Sequence, residues 1–185
     1  MDTAEFDRRQ AGLGSAMQAR NIVHAGYAVE SIEESARRWQ ETLGAGPFFV
    51  IPHVQFEVLE AGGAELVFDH SAAFGACGDM VVELQEIHEI KGPAAVVEAL
   101  ERPGGPNHLA YYAEDPAAEG RRLERLGGQR LLHGVSGPVE VTFYALPWLG
   151  HALELHLDSE HIRAVHQRLK TVAKGWDGSD PLRSF

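Results

Sequence analysis

The sequence predicts an α+β fold made of two tandem βαβββ modules followed by a C-terminal helix. The first observation behind this prediction is an internal repeat with a spacing of 84 residues. The stretch His24-Ala-Gly-Tyr-Ala-Val-Glu30 and the stretch His108-Leu-Ala-Tyr-Tyr-Ala-Glu114 share the pattern H-x-x-Y-x-x-E. A repeat of this length indicates two copies of one structural unit.

The second observation is a helix start at the same place in both copies. Ser31 follows the first copy and has a glutamate three residues later, the spacing of a capping box. Asp115 follows the second copy, with Pro116 at the first helical position. Gly44 and the pair Gly127-Gly128 end the two periodic apolar patterns. Each copy therefore predicts a strand, a capped helix and a glycine stop.

The third observation is a set of three short extended runs after each helix, rich in apolar and β-branched residues. They cover 48–51, about 55–68 with a break near 62–63, and 80–87 in the first half, and 129–133, 139–145 and 151–157 in the second half. We expect a partly disordered N-terminal lead over 1–19, modules over 20–90 and 106–158, a connector over 91–105, and a C-terminal helix and tail over 159–185.

The composition excludes several classes of partner. The chain of 185 residues has a formal net charge of −11 and no basic cluster, so we expect neither nucleic acid nor an anionic membrane as partner. Cys77 is the only cysteine, which excludes an internal disulfide and fits a reducing compartment. No stretch has the length and apolar character of a signal peptide or membrane span. We therefore expect a cytoplasmic protein.

Four ionisable residues interrupt strands that are otherwise apolar: His24, Glu83, His108 and Glu154. Each alone is more typical of a solvent-facing strand residue. An ionised carboxylate that faces a core is unfavourable unless it is paired or bound to metal, so four such residues at matched places favour one shared cation. Nitrogen and oxygen donors without a thiolate suit Fe(II), Ni, Co, Mn or Zn. We predict one divalent metal ion per chain.

Strand alternation also predicts residues that could contact a substrate. Gly26 and Ala28 share a face with His24, and their small size leaves space beside the imidazole. Tyr112 shares a face with the second repeat histidine and could orient a substrate. His156 faces the same way as the last predicted ligand and could donate a hydrogen bond to a substrate, although a position at the rim is the simpler interpretation.

The order and spacing of these motifs resemble the vicinal oxygen chelate superfamily, the group of glyoxalases, bleomycin-resistance proteins and extradiol dioxygenases. The resemblance covers about residues 20–158 and implies two βαβββ modules whose mixed sheets curl around a central metal site. Members often form homodimers, and we expect one here. The matching segments are Asn21-Ile-Val-His24-Ala-Gly-Tyr-Ala-Val, Ser35-Ala-Arg-Arg-Trp-Gln-Glu-Thr-Leu-Gly44-Ala-Gly-Pro-Phe48, Gly78-Asp-Met-Val-Val-Glu83-Leu, Pro106-Asn-His108-Leu-Ala and Gly150-His-Ala-Leu-Glu154-Leu.

Within that superfamily, the His, Glu, His, Glu set resembles bacterial glyoxalase I. Methylmalonyl-CoA epimerases are similar but usually have glutamine where this chain has Glu83. Extradiol dioxygenases use two histidines and one glutamate, and binding-only members generally lack the ligands. Ala28 stands where glyoxalase I usually has an arginine that helps to hold glutathione, so the resemblance does not imply glutathione as substrate.

These features predict a lyase, isomerase or epimerase that moves a proton α to a carbonyl through a metal-stabilised enolate or enediolate. Glu154 is our first choice as proton shuttle, with Glu83 opposite, and the substrate is a small carbonyl compound. One alternative is an Fe(II)-dependent ring-cleaving or hydroxylating dioxygenase. A further alternative is a protein that sequesters a small ligand in an inert cavity lined by Phe74, Phe143 and Trp148.

Overall fold

A computed structural model of the chain describes residues 19–185. Residues 1–18 of the predicted N-terminal lead lie outside the described residues. The strands are β1 (Ile22–Val29), β2 (Phe48–Ile51), β3 (Val58–Glu60), β4 (Val67–Cys77), β5 (Met80–Lys91), β6 (His108–Ala113), β7 (Gln129–Ser136), β8 (Val139–Ala145), β9 (Ala152–Leu157) and β10 (Leu182–Ser184). The helices are α1 (Ile32–Leu43), α2 (Ala94–Leu100), α3 (Pro116–Arg125) and α4 (Glu160–Ala173). Within the described part, no helix is both long enough and apolar enough to cross a membrane.

The predicted helix caps are confirmed. The Ser31 side chain accepts a hydrogen bond from the Glu34 backbone N–H at 3.3 Å, and Gly44 ends α1 in the left-handed region with φ 66°. The Asp115 side chain accepts from the Ala118 N–H at 2.8 Å, and Ser159 caps α4 in the same way. Because these oxygens satisfy amides that have no partner within the helix, both repeat helices start at the predicted residues.

The strands form one mixed sheet in the order β10-β2-β4-β5-β1-β6-β9-β8-β7-β3. The two module-opening strands, β1 and β6, pair antiparallel at its centre, with His24 opposite Ala110 and Gly26 opposite His108. Each then pairs in parallel with the last strand of its own module, β5 or β9. The two modules are thus related by an approximate two-fold axis between β1 and β6. The α+β class is confirmed, although the predicted sheets are one continuous curled sheet.

The two faces of this sheet have different roles. On one face, α1 packs its Ile32 and Ala36 against Ala73 and Leu84, and α3 packs against the second module in the same way. The alternate residues of β4 point to the other face, where α4 lies across them. This second face carries the candidate site, because side chains two residues apart on a strand share a side.

The structure differs from the prediction at three strands. The predicted run over 55–68 contains only β3 and the first two residues of β4, and β3 pairs with β7 of the second module. The first module instead takes its third strand from β4, whose sequence Val67-Phe-Asp-His-Ser-Ala-Ala-Phe-Gly-Ala-Cys77 lacks clean apolar alternation because the strand is largely buried on both faces. The tail, for which no strand was predicted, contains β10, which pairs in parallel with β2.

Candidate metal centre

The four predicted ligands converge on one point at the centre of the sheet. His24, Glu83, His108 and Glu154 come from β1, β5, β6 and β9, the four central strands, and each is at most 6% exposed. One ligand atom from each residue can be chosen so that all four lie within 4.8 Å of one another. The repeat explains this convergence, because Gly26 pairs with Glu83 as Ala110 pairs with Glu154.

The spacing of these atoms suits a shared cation. Nε2 of His24 lies 2.9 Å from Nε2 of His108 and 2.8 Å from Oε2 of Glu154. Oε2 of Glu83 lies 3.1 Å from the His108 nitrogen and 3.4 Å from the His24 nitrogen. Two donors bound to one ion at about 2.1 Å lie roughly 3 Å apart. The cluster could therefore hold a metal ion, and its donor set fits a transition metal.

Asn107 and Gln85 fix the orientation of two of the four residues. The Asn107 amide Nδ2 donates to the Gln85 Oε1 and to the Leu100 carbonyl, both at 2.8 Å, so its Oδ1 is an acceptor. That oxygen lies 2.7 Å from His108 Nδ1, which must then carry a proton, so that Nε2 is the nitrogen directed into the cluster and would be the metal ligand once its own proton is displaced. Gln85 Nε2 donates to Glu83 Oε1 at 3.1 Å. We call His108 and Glu83 the anchored pair.

The other two residues lack such support. Nδ1 of His24 is buried without a hydrogen-bond partner among the described residues. Oε2 of Glu154 contacts Nε2 of His24 and of His108, at 2.8 and 3.1 Å, and has no hydrogen-bond partner outside the cluster in the same part of the chain. The nearest polar group beyond the cluster is His156 Nε2, 3.5 Å from that oxygen. A buried polar atom without a partner is unfavourable. His24 and Glu154 could therefore gain a favourable interaction from a bound cation.

Mutual charge holds the cluster in its ionised form. Burial lowers the pKa of His108, but the Glu154 charge and hydrogen bonds to both glutamates outweigh burial and raise it to about 10. Burial raises the pKa of Glu83, but hydrogen bonds from the two histidines hold it well below its usual range. The pKa of Glu154 is likewise held low, against burial, by the charges of His156, His108 and His24. Both carboxylates are thus ionised at neutral pH, as metal ligands must be.

Gly26 has a different role from the one predicted. A Cβ atom at this position would lie 1.9 Å from Cε1 of His108. The space beside His24 that we expected for a substrate is therefore filled by the imidazole of the second ligand. The glycine is required because β1 and β6 pair here at close range, and across the pseudo-two-fold axis Ala110 stands opposite His24.

A cavity of about 620 Å³ opens above the cluster, with His24, Glu83 and Glu154 in its wall. Three residues predicted to contact a substrate or to line a ligand cavity, Phe74, Phe143 and His156, also line it. Three others do not. Ala28 and Tyr112 lie outside the wall, and the Tyr112 hydroxyl is 2.6 Å from Nδ1 of His166 instead. Trp148 is 74% exposed and also lies away from the cavity.

Sequence reasoning missed several polar residues of this region. Gln85 shares a strand face with Glu83, and Asn107 precedes His108, but amides at such positions have no distinguishing pattern. His70 and His166 line the cavity, from β4 and α4. Burial, together with the charges of neighbouring histidines, lowers the pKa of His166 to about 3, so this imidazole is neutral.

Comparison with known proteins gives a family and a fold. Residues 23–142 match the family described as Glyoxalase/Bleomycin resistance protein/Dioxygenase superfamily. A hypothetical protein from Bacillus halodurans C-125 is similar in structure, with a TM-score of 0.51 and 18% identity over 77% of this chain and 97% of that chain. The likeness shows the fold alone. No curated protein sequence matches this chain.

Two methylmalonyl-CoA epimerase structures are also similar, more distantly. The enzyme from Mycobacterium tuberculosis has a TM-score of 0.49 and 16% identity over 83% of this chain and 99% of its own. A variant of the Streptomyces coelicolor enzyme, in complex with 2-nitronate-propionyl-CoA, has a TM-score of 0.45 and 18% identity over 75% of this chain and 97% of its own.

Proposed function

This chain belongs to the glyoxalase/bleomycin resistance protein/dioxygenase superfamily, and we propose that it is a divalent-metal-dependent isomerase, epimerase or lyase that moves a proton α to a substrate carbonyl. The observation that carries the proposal is the contrast between the two glutamates of the cluster. Glu83 is anchored by Gln85, which lies outside the cluster, whereas Glu154 Oε2 contacts the two cluster histidines and has no hydrogen-bond partner outside the cluster among the described residues. We therefore expect the Glu83 carboxylate to stay in place and the Glu154 carboxylate to move.

The ion would be held by His24, Glu83, His108 and Glu154. When bound, it supplies a Lewis acid that stabilises negative charge on the carbonyl oxygen of the substrate. Asn107 keeps the His108 Nε2 lone pair directed at the ion, and Gln85 keeps one oxygen of Glu83 away from it. The nitrogen and oxygen donors suit Fe, Ni, Co, Mn or Zn.

In the proposed step, a carboxylate oxygen of Glu154 takes the proton from the carbon next to the carbonyl. The C–H bond breaks, its electron pair forms a C=C bond, the π pair of the carbonyl moves onto the carbonyl oxygen, and the proton comes to rest on Glu154. Return of the proton by Glu154 to the same carbon regenerates the substrate, whereas delivery to the neighbouring carbon of an enediolate gives an isomer. Return by Glu83, which lies at the equivalent register of the other module, would invert the carbon.

Two alternatives are less well supported. An Fe(II) dioxygenase of the two-histidine, one-carboxylate type would leave Glu83 off the metal, whereas Glu83 Oε2 lies 3.1 Å from the His108 nitrogen within the cluster. Two buried, ionised carboxylates are unfavourable without a compensating charge. A binding protein with an inert cavity does not require them. The placement of Glu83 therefore favours proton transfer.

The test combines metal analysis with solvent exchange. Protein purified without chelators is analysed for metal, then incubated in deuterium oxide with a panel of α-hydroxy, α-keto and acyl-thioester compounds. We expect deuterium to enter the α position of at least one substrate. Glu154→Gln should slow exchange about 10²- to 10⁴-fold, the usual contribution of a general base, with metal still bound.

Glu89→Gln is the matched control, because Glu89 lies on β5 with Glu83 but is exposed and outside the cluster. It should exchange as the wild type does. Normal metal content with no exchange across the whole panel would refute proton transfer. Strict dependence on iron with oxygen consumption would support the dioxygenase alternative.

A further inference from the structure

The wall of the cavity above the metal centre is mainly apolar. Aromatic and branched side chains from β2, β4, β8 and α4 surround the space, and Phe185 at the end of the chain joins them. Phe74 and Phe143 occupy equivalent registers opposite Glu83 and Glu154, and each packs edge-on against the histidine of its own module. Such a surface binds an apolar body, since burying apolar area is the main source of affinity in small-molecule sites.

The wall carries little positive charge. Among the described residues that line the cavity, Arg168 is the one lysine or arginine, and it is exposed. Phosphate groups are usually bound by several basic side chains or by free backbone amides at a helix start. The start of α4 lines the cavity, but the Ile162 amide there already donates to the Ser159 side chain. The cavity therefore offers poor complementarity to a phosphorylated substrate or to the nucleotide part of a coenzyme A thioester.

Apart from the predicted metal ligands, two polar side chains of the apolar wall have buried nitrogens without partners among the described residues. His156 is 5% exposed, and neither of its ring nitrogens has a hydrogen-bond partner among the described residues. His70 is 3% exposed, stacks on Phe68 with ring centroids 4.0 Å apart, and has an Nδ1 without a partner in the same part of the chain. Nitrogens buried in this way are expected to find partners, so a ligand that supplies them gains hydrogen bonds as well as apolar contact.

The positions of these two imidazoles differ. The ring of His156 is 5.1 Å from the ring of His24, beside the metal centre. His70 lies four residues before Phe74 on β4, and Phe74 pairs with Glu83. At about 3.3 Å per residue, His70 is roughly 13 Å along the strand from the level of the metal ligands. The cavity thus has polar groups at the metal end and one at a distance from it.

We propose that the substrate is a compact, non-phosphorylated carbonyl compound with an apolar, aromatic-sized body and a hydroxyl or carbonyl group at its far end that pairs with His70. The proposal rests on the proposed function, which places the carbonyl at the metal. His156 would contact the oxygen-bearing end. Burial lowers the pKa of His70, which agrees with a neutral imidazole that exchanges a hydrogen bond with an uncharged group.

The test measures binding without turnover. Benzoylformate, its para-hydroxy derivative and benzoyl-CoA share an aryl carbonyl but have no hydrogen on the carbon next to it, so the proposed proton transfer cannot occur. Their dissociation constants are measured by calorimetry with cobalt-loaded, full-length protein. We expect para-hydroxybenzoylformate to bind about five- to tenfold more tightly than benzoylformate, the effect of one additional hydrogen bond, and benzoyl-CoA to bind most weakly.

Four variants test which residues cause the preference for the para-hydroxy compound. His70→Phe keeps an aromatic ring on Phe68 but removes both nitrogens, and should bind the two benzoylformates equally. His70→Gln retains a hydrogen-bonding group and should keep part of the preference. Val165→Phe narrows the cavity from α4 and should weaken both aryl acids at least tenfold. Ala164→Phe, one position away on the exposed side of α4, is its control and should change neither.

Several outcomes would overturn the proposal: benzoyl-CoA bound more tightly than benzoylformate, no binding of either aryl acid, equal affinity for both acids in the wild type, or a hydroxyl preference that survives in His70→Phe. Failure of the proposed function is separate, because it is read from metal content and deuterium exchange. If the protein binds the aryl acids with the expected preference but catalyses no deuterium exchange, the proposed ligand class is supported and only the proposed proton transfer is refuted.

Discussion

Asn107 shows how one buried amide can determine the chemistry of a neighbouring ligand. Its Nδ2 has two acceptors, so its oxygen must face Nδ1 of His108, which keeps a proton on Nδ1 and directs Nε2 into the cluster. The same amide reaches Glu83 through Gln85. The anchored pair therefore owes its geometry to residues that are not themselves ligands.

Asn107→Ala should weaken metal binding about 10- to 100-fold, as is typical when a hydrogen-bond partner of a metal ligand is removed. Competition with a coloured chelator measures the affinity. Asn21→Ala is the control, because Asn21 is exposed at the start of β1, and its affinity should equal that of the wild type. An unchanged affinity in Asn107→Ala would mean that His108 is held by packing alone.

Gly26→Ala should disturb the same imidazole by contact. The added Cβ would lie 1.9 Å from Cε1 of His108, a fully buried ring that cannot move aside. We expect at least a tenfold loss of metal affinity and a destabilisation of about 1–3 kcal/mol from overpacking. Metal analysis and thermal melting test both effects.

Gly150→Ala serves as the matched glycine control, because an added Cβ would meet no described atom within 4 Å and the backbone φ of Gly150 is not positive. It should bind metal and melt as the wild type does. If the two alanine variants behaved alike, the requirement for glycine at position 26 would be disproved.

The four residues of the cluster could be identified from sequence, and the residues that support them could not. His24 and His108 stand out because a repeat relates them, and Glu83 and Glu154 because a carboxylate within an apolar strand needs an explanation. His70 offers no such signal. Its position on the cavity wall depends on the pairing of β4 with β5, which local patterns do not reveal.

At the scale of elements, buried strands were harder to predict than helices. The caps at Ser31 and Asp115 involve residues close in sequence, so a short pattern identifies them. β4 is recognisable only through its partners, because Asp69, His70 and Ser71 break the apolar pattern and small residues follow. β10 likewise forms only where β2 offers a free edge.

Helix α3 is tied to the sheet by Glu119. Its carboxylate accepts hydrogen bonds from Tyr111 of β6, from Arg122 one turn later and from Arg20 ahead of β1. Hydrogen bonds from Arg122 lower the pKa of Glu119 well below its usual range, and those from Arg20 and Tyr111 add to this against the opposing effect of burial. The ionised form is therefore the stabilising one.

Glu119→Gln should destabilise the protein by about 2 kcal/mol at neutral pH, since hydrogen bonds to charged groups contribute about 1.5–3 kcal/mol. A carboxyl whose pKa is lower in the folded chain stabilises it above the unfolded value of about 4.5 and loses this effect as the pH falls further. The difference in the free energy of unfolding between wild type and variant should thus be constant above about pH 5.5 and shrink steadily as the pH falls from there towards pH 2.

Urea titrations across that range measure the difference. Glu124→Gln, on the exposed side of the same helix, is the control and should differ little from the wild type at any pH. A gap between Glu119→Gln and wild type that stays constant down to acid pH would show that packing, and not charge, accounts for the role of Glu119.

At the scale of the whole molecule, the candidate metal centre lies where the two modules meet. β1 and β6 pair along the approximate two-fold axis, and each module contributes one histidine and one glutamate. The repeat predicted two units but not that they form one sheet. The pairing of β1 with β6 joins strands 84 residues apart, and no local pattern encodes it. A bound ion would link both units at their most central strands.

Metal removal should therefore lower the stability of the entire chain. A ligand at 100 times its dissociation constant stabilises the folded state by about 2.7 kcal/mol, which corresponds to roughly 5–10 °C in melting temperature for a domain of this size. We expect one unfolding transition, whose melting temperature falls by that amount when a chelator is added and recovers when metal is added back. His24→Ala should abolish the shift. His133→Ala, outside the cluster, should keep it. Equal melting temperatures with metal and with chelator, or a shift that persists in His24→Ala, would exclude a metal that joins the two modules through these four residues.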